Sequence, residues 1–497
     1  MNGRSDPLWR AVDEAGQAHL AGLWPRHRRA EGCYYTPTAL AAALVDAALA
    51  RLPGGPLRAC DPSCGAGAFA VPLVQAMHRR AAAARGSVSL AEIDPAAAAV
   101  ASALIEALDR RGGPRVRMLV GDALGGPVAE RLWRRPHDLI VGNPPFAAGE
   151  LRVPAGFPHD RAAAFIDRAV QNLAPRGLFV LILPRSISYI ERWRTVRELL
   201  WRVGRLEEIV EIRRTIDVGM EQLGVVFARA RAARGHRVSV RAVEGSGFVN
   251  RHRLPVAIAR RGPTLGISLD PFSRSVLLLL ERRSIPFAEI QPTIRRGLTV
   301  QRHLRPLERG AAAARRWIGR RDIDHFRLAR GEALDPATEL KFEAAAAWQE
   351  GCKLLVQRRV GRRVHPRPHL ITRAALDEGG ALRAVDTVLV VRIEEATARL
   401  LALLVLNSSL GAYYLERVAF DGNVLTTPDL DRPYLLRLFV PDVSGAARVA
   451  MVSAARAGDR ALAERLLIEH YELDGRTVAR ISAERGLAFG SASTLSA

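Results

Sequence analysis

Asn143-Pro144-Pro145-Phe146 ends a short apolar run, residues 139–141, and gathers three kinds of chemistry on one small loop. Proline fixes φ and has no N–H, so two in succession make a rigid turn whose carbonyls stay available as acceptors. The side-chain oxygen of Asn143 and the carbonyl of Pro144 can accept both N–H bonds of one planar amino group. The Phe146 ring can stack on whatever carries that amine. The chemistry this predicts is reaction at an exocyclic amine. Taken alone, the same residues also make an ordinary turn after a strand, because Asn-Pro and Pro-Pro are common loop dipeptides.

Three acids strengthen the pattern. Asp61 leads the stretch Asp61-Pro62-Ser63-Cys64-Gly65-Ala66-Gly67-Ala68-Phe69, in which Gly65 and Gly67 let the backbone come close to a ligand. A dinucleotide fingerprint would carry Gly-x-Gly-x-x-Gly and seat a pyrophosphate. Two glycines behind a leading acid suit a cationic or hydroxyl-bearing ligand better. Glu92 ends the next apolar run, where a carboxylate can accept from both hydroxyls of a ribose. Asp122 follows a third run and can accept from an adenine amino group. Each acid alone serves equally well as a helix N-cap or a solvated loop residue. Three at successive strand ends, ahead of Asn-Pro-Pro-Phe, form one arrangement.

Such residues need a scaffold that delivers them to one edge. Strands are expected at 57–60, 88–93, 116–120 and 139–141, with helices at 70–84 and 95–110 between them. Alternation at that spacing gives right-handed crossovers and a parallel, doubly wound α/β sheet, with ligands at the strands' carboxyl ends. Thr38 is the expected N-cap of a helix over 39–52. Further on come a helix over 161–173 closed by Gly177, a strand over 178–183 ending at Pro184, and strands at 206–212 and 223–228. Past Arg229 the alternation is lost across 231–261. Arginine pairs then recur (295–296, 315–316, 320–321, 358–359 and 362–363) with Trp317, Phe326, Phe342 and Trp348 among them. The expected organisation is a helical extension over 1–32, the α/β domain over 33–240, a less regular mixed α+β domain over 241–445, and a helical tail over 446–497.

At 497 residues, 48% of them hydrophobic, the chain has material for two or three packed cores. Its 73 Lys and Arg against 51 Asp and Glu leave a net charge of +22, which predicts attraction to a polyanion and strong salt dependence. The four cysteines form no Cys-x-x-Cys pair and have no matching histidine spacing, so small buried thiols are expected rather than zinc or any other metal. No signal-peptide core and no apolar run long enough to span a bilayer is evident. The expectation is a soluble cytoplasmic protein without a membrane partner.

Asp61 to Phe69, Glu92, Asp122 and Asn143 to Phe146 together resemble the S-adenosylmethionine-dependent methyltransferases that modify DNA adenine at N6. The upstream Tyr34-Tyr35-Thr36-Pro37 is similar to the element before the cofactor loop in their gamma, TaqI-like class. The resemblance extends to 317–323, 353–363, 403–415 (with Asn407-Ser408-Ser409-Leu410) and 438–441, which look like the TaqI-like target-recognition domain. It covers most of 32–440 and implies a Rossmann-like methyltransferase sheet followed by a DNA-recognition domain.

By that resemblance, Asp61, Glu92 and Asp122 would hold the amino-acid end, ribose and adenine of S-adenosylmethionine, and Thr36 would close the methionine end. Asn143 and the Pro144 carbonyl would accept from the target N6 amine of an adenine flipped out of double-stranded DNA, with Phe146 stacked on the base. The implied setting is restriction–modification or phage defence, with a monomeric enzyme and any cleavage left to a cognate restriction or defence protein. Two departures stand out. The family's second aromatic is missing from 215–220, and Phe replaces the commoner Tyr at 146. Other readings remain: a methyltransferase for an rRNA base or a protein glutamine, or a DNA-binding subunit that keeps the pocket without turnover. The long C-terminal half argues against the first, and intact 143–146 against the second.

Overall fold

The computed structural model describes residues 6–22, 35–80, 86–108, 113–146, 153–212, 221–245, 247–306, 316–329, 331–424 and 428–485. The chain divides into two compact units between Asp270 and Pro271.

The first unit is built on nine strands: β1 (Arg58–Asp61), β2 (Ser87–Glu92), β3 (Arg115–Val120), β4 (His137–Gly142), β5 (Leu173–Pro184), β6 (Arg205–Ile212), β7 (Gln222–Ala228), β8 (Arg237–Glu244) and β9 (Gly247–Pro255). Their order is β3-β2-β1-β4-β5-β7-β6-β8-β9. β1 to β5 are mutually parallel, and β7 runs antiparallel between β5 and β6. The strand order reverses between β1 and β4, which is where an open α/β sheet forms its ligand crevice. This is the expected doubly wound α/β class.

The apolar runs are continuous because both faces of the sheet are covered. Along β4, Leu139 and Val141 face one core and Ile140 the other; along β5, Leu178, Val180 and Ile182 oppose Phe179, Leu181 and Leu183. One face is closed by the helices Thr38–Leu49, Ala70–His78 and Pro95–Glu106, the other by Gly126–Leu132, Arg161–Asn172 and Arg194–Val203.

Several expectations need correction. The boundary expected at 240 falls inside β8, which is hydrogen bonded to β6 and β9, so the first unit runs on to Asp270. Gly177 does not cap a helix: the helix ends at Asn172 and Gly177 lies within β5, where an added Cβ would sit 2.9 Å from the carbonyls of Ala174 and His137. Nor is Thr38 the N-cap, since it is the first helical residue after Pro37. The helix Pro7–Gly22 packs into the same core through the fully buried Val12.

The second unit contains two four-stranded sheets. One pairs Thr293–Arg296, Val388–Arg392, Lys353–Gln357 and Ala374–Asp377; the other pairs Leu304–Pro306, Glu332–Leu334, Trp317–Ile318 and Arg383–Ala384. Residues 400–407 of the helix Ala396–Asn407 and 409–416 of Ser409–Val418 are buried, and Asn407 brackets the Ala374 backbone, donating to its carbonyl (2.9 Å) and accepting from its N–H (3.0 Å). Three helices over 445–485 belong to this unit; Arg485 of the last pairs with Glu416 at 3.1 Å. Among the described residues no single helix is long and apolar enough to cross a membrane.

Candidate functional site

The loops after β1, β2 and β3 are tied to one another by backbone and carboxylate bonds. Gly65 N–H donates to Glu92 Oε2 at 2.8 Å, and Asp94 N–H donates to Glu92 Oε1 at 3.0 Å. Cys64 N–H reaches the Ala91 carbonyl at 3.0 Å, and Gly121 N–H the Glu92 carbonyl at 2.8 Å. Gly65 (φ 51°) and Gly67 (φ 103°) hold conformations that a side chain would strain. Asp94 caps the helix Pro95–Glu106 by accepting from Ala96 N–H at 2.8 Å, so it does structural work that Glu92 does not.

Asp61 closes β1 with only 1% of its surface exposed. Burial pushes its carboxyl up to about 8, opposed by the Ser63 N–H at 3.1 Å and reinforced by the charge of Glu92. No cation among the described residues pairs with it. Asp61 also lies against the start of the β4 loop, since a Cβ on Gly142 would stand 3.0 Å from Asp61 Oδ1.

Asn143 donates through Nδ2 to Thr36 Oγ1 at 2.9 Å, joining the loop after β4 to the segment before Thr38–Leu49. Thr36 and Pro144 are buried, Pro145 and Phe146 half-buried. Phe146 packs against the cores on both sides of the sheet. The Thr36 segment is itself clamped by Asp13 of the first helix, whose Oδ1 accepts from Thr38 N–H (3.0 Å), Thr38 Oγ1 (2.5 Å) and the Tyr35 hydroxyl. Gly16 on that helix makes room for the Tyr35 ring, which a Cβ there would meet at 2.4 Å.

Thr36 and Asn143 are therefore joined directly, as are Gly65 and Glu92, with Asp61 beside Gly142. Asp122 is exposed and accepts from Leu124 N–H at 2.8 Å; among the described residues it makes no bond to the other candidates. Tyr34 and the 215–220 stretch lie outside the described residues. Two site neighbours were not anticipated. Asp13 carries no local signal, because its partners are over twenty residues away. Ile93 is 58% exposed directly after Glu92, and an apolar residue opening a strand-to-helix loop was the available clue.

At the end of β5, Arg185 is buried between Glu211 (2.7 Å) and Glu221 (3.3 Å), binding together the ends of β5, β6 and β7. Cys60 and Cys64 are buried free thiols, and burial raises both well above the usual thiol range. Among the described residues no group of three or more His, Cys, Asp or Glu side chains could hold a metal ion.

No family model matches the chain, and no curated protein matches it. Among solved structures, the type IIG restriction endonuclease BpuSI aligns over 95% of this chain and 67% of its own, at 13% identity and a TM-score of 0.44. A type I restriction–modification methyltransferase subunit from Streptococcus thermophilus aligns over 50% of this chain and 56% of its own, at 15% identity and 0.36. The EcoKI M protein aligns over 42% and 48%, at 18% identity and 0.33. The chain thus spans about half the length of these two type I subunits.

Proposed function

We propose that the first unit transfers a methyl group from S-adenosylmethionine to N6 of an adenine in double-stranded DNA, that the second unit reads the target sequence, and that the chain serves restriction–modification or phage defence. The observation that carries this reading is Asn143-Pro144-Pro145-Phe146 at the carboxyl end of β4, beside the strand-order reversal, with the Asn143 amide fixed on Thr36.

The residues present fit the cofactor. Asp61 is a buried carboxyl that faces no cation among the described residues, which suits a positively charged amino-acid end. Both Glu92 oxygens are oriented by backbone N–H groups, and each keeps lone-pair capacity for a ribose hydroxyl. Ile93 offers an exposed apolar surface for the adenine ring, and Asp122 an acceptor for its amine. Bound S-adenosylmethionine supplies an electrophilic methyl group.

The chain's own task is positioning. The Thr36 bond orients the Asn143 amide through its nitrogen end, which supports a role for Oδ1 as the acceptor toward the target. Asn143 Oδ1 and the Pro144 carbonyl then accept the two N6 hydrogens, which frees the nitrogen lone pair from conjugation with the ring. Phe146 stacks on the extruded base, an interaction typically worth about 1–3 kcal/mol. Preorganised acceptors and orientation carry the catalysis. DNA as substrate is supported by the +22 net charge. The arginine pairs do not contribute equally: Arg358 and Arg359 are held by Asp429 and Asp431, and Arg296 by Asp386.

The test is modification-sensitive sequencing of DNA from a methylation-deficient host expressing the chain, beside an Asn143→Ala control. N6-methyladenine confined to one short motif and missing from the control is the expected result. Unmodified DNA, with S-adenosylmethionine still bound by the purified protein, would overturn the substrate assignment and point to an RNA or protein amine.

A further inference from the structure

The second unit holds an open concavity whose lining, among the described residues, includes three arginines, two histidines and several hydroxyls but no acid. Its three arginines come from separate segments, one of them on the same hairpin as Thr372. Arg363 ends the hairpin strand Gly361–Arg363, Thr372 follows the strand His369–Ile371, Arg460 begins the helix Arg460–His470, and Arg485 ends Gly475–Arg485. Packing alone does not bring like charges from remote segments round one hollow.

Each cation retains capacity in a different degree. Arg485 is committed, pairing with Glu416 at 3.1 Å and donating to the Leu370 carbonyl. Arg460 donates to the Asn407 carbonyl (3.2 Å) and Ser409 Oγ (3.4 Å), with Glu464 a distant 3.9 Å away, so among the described residues its Nη1 has no partner. Among the described residues Arg363 has no ion pair, and it is exposed at the rim. Thr372 is 3% exposed, and its hydroxyl has no hydrogen-bond partner among the described residues, although a buried hydroxyl normally finds one. The crowding of positive charge is felt locally: burial, Arg460 and Arg373 push His325 down to about 4, so this lining histidine is a neutral donor at physiological pH.

We propose that this pocket binds a phosphoryl group. Guanidinium groups and a hydroxyl converging from several directions exceed what the two coplanar oxygens of a carboxylate can use, and match the tetrahedral oxygens of a phosphate. The site stands on its own geometry. That its phosphate belongs to a polynucleotide backbone rests on the DNA reading above.

The experiment uses the full chain and inorganic phosphate at constant ionic strength, read as thermal midpoint and by calorimetry against chloride, for the wild type, Arg363→Ala and Thr372→Val. Phosphate should raise the midpoint. Arg363→Ala should weaken phosphate binding about tenfold, the loss expected for one charge-assisted hydrogen bond. Thr372→Val should keep or raise the midpoint in chloride while weakening phosphate. A second arm measures DNA affinity against salt: loss of one backbone contact lowers the slope of log K against log salt by about one. Phosphate acting no better than chloride, or binding both variants as well as wild type, would overturn the site. Phosphate binding with an unchanged DNA slope in Arg363→Ala supports the site and makes a free phosphate compound its source. Neither arm reads methyl transfer, so failure of the methyltransferase assignment leaves the result interpretable.

Discussion

Asp61→Asn tests the proposed cofactor pocket without any substrate. The Asp61 carboxyl, ordinarily near 3.8, is held up to about 8 in the folded chain, first by burial. Between those two values the folded protein keeps one more proton at this site than the unfolded chain does. Its contribution to stability is complete below pH 3.8 and declines as pH rises through the folded value, by at most about 1.4 kcal/mol per pH unit. From pH 5.5 to 7.5 the upper figure is about 2.7 kcal/mol, and about 1–3 kcal/mol is a realistic range after local relaxation. At about 2–4 °C per kcal/mol for a unit of this size, the midpoint difference amounts to roughly 2–10 °C. Asparagine keeps an acceptor for Ser63 N–H and removes the titration. The quantity to read is the midpoint of Asp61→Asn minus that of wild type, by scanning fluorimetry across this range. It should widen in favour of the variant as pH rises, while buried histidines common to both proteins cancel. Saturating S-adenosylmethionine should flatten the wild-type dependence, because a bound cation stabilises the ionised carboxylate, and leave the variant unaffected. A difference that stays constant from pH 5.5 to 7.5 would refute the reasoning, for it would mean that Asp61 is ionised throughout and already neutralised.

Further outcomes separate chemistry from scaffold. Asn143→Ala should lower methyl transfer by about 10²–10³, the usual loss for one preorganised polar group at the reacting centre, with cofactor affinity within a few-fold of wild type by calorimetry. Thr36→Val removes the bond that orients Asn143 and should cost about tenfold in kcat with little change in cofactor binding; equal kcat would show that the loop fixes the amide unaided. Asp13→Ala withdraws one acceptor from three donors of the Tyr35–Thr38 segment and should destabilise the chain by about 1–3 kcal/mol in urea unfolding. Asp377→Ala leaves the fully buried Lys353 ammonium without its partner at 2.5 Å and should cost about 3–5 kcal/mol, much of it recovered by also changing Lys353→Met.

The parts of the fold that could be read in advance are those whose signal is local. Buried strands such as 139–141 and 178–183 are apolar on both faces, and each is followed by residues that cannot continue it. β8 was missed for a physical reason. Its buried Val238, Val240 and Ala242 do alternate with Arg237, Ser239 and Arg241, but two arginines in so short a run read as a basic linker when the covering partner is unknown. β9 is the outer strand of the sheet and mostly exposed, with Arg251 and Arg253 along it, as edges that resist further pairing often are. The clamp from Asp13 to Thr38 depends on a contact between segments distant in sequence, which no window of residues contains.

The same distinction explains the site. Asp61, Glu92 and Asn143 stood out as candidates because each lies at or just after a strand end, but the burial of Asp61 has no local signal. Glu92 is oriented by two backbone donors, whereas Asp61 is buried with one N–H and a neighbouring acid. Of the two acids, Asp61 is the one that burial keeps protonated until positive charge arrives. A pocket of that kind discriminates by charge. A cationic ligand recovers the cost of ionising Asp61, while a neutral analogue of the same shape leaves the proton in place. On the proposed function, the sulfonium cofactor with its ammonium should therefore outbind analogues lacking that ammonium, and the margin should shrink in Asp61→Asn. An unchanged margin in that variant would locate the amino-acid end of the cofactor elsewhere.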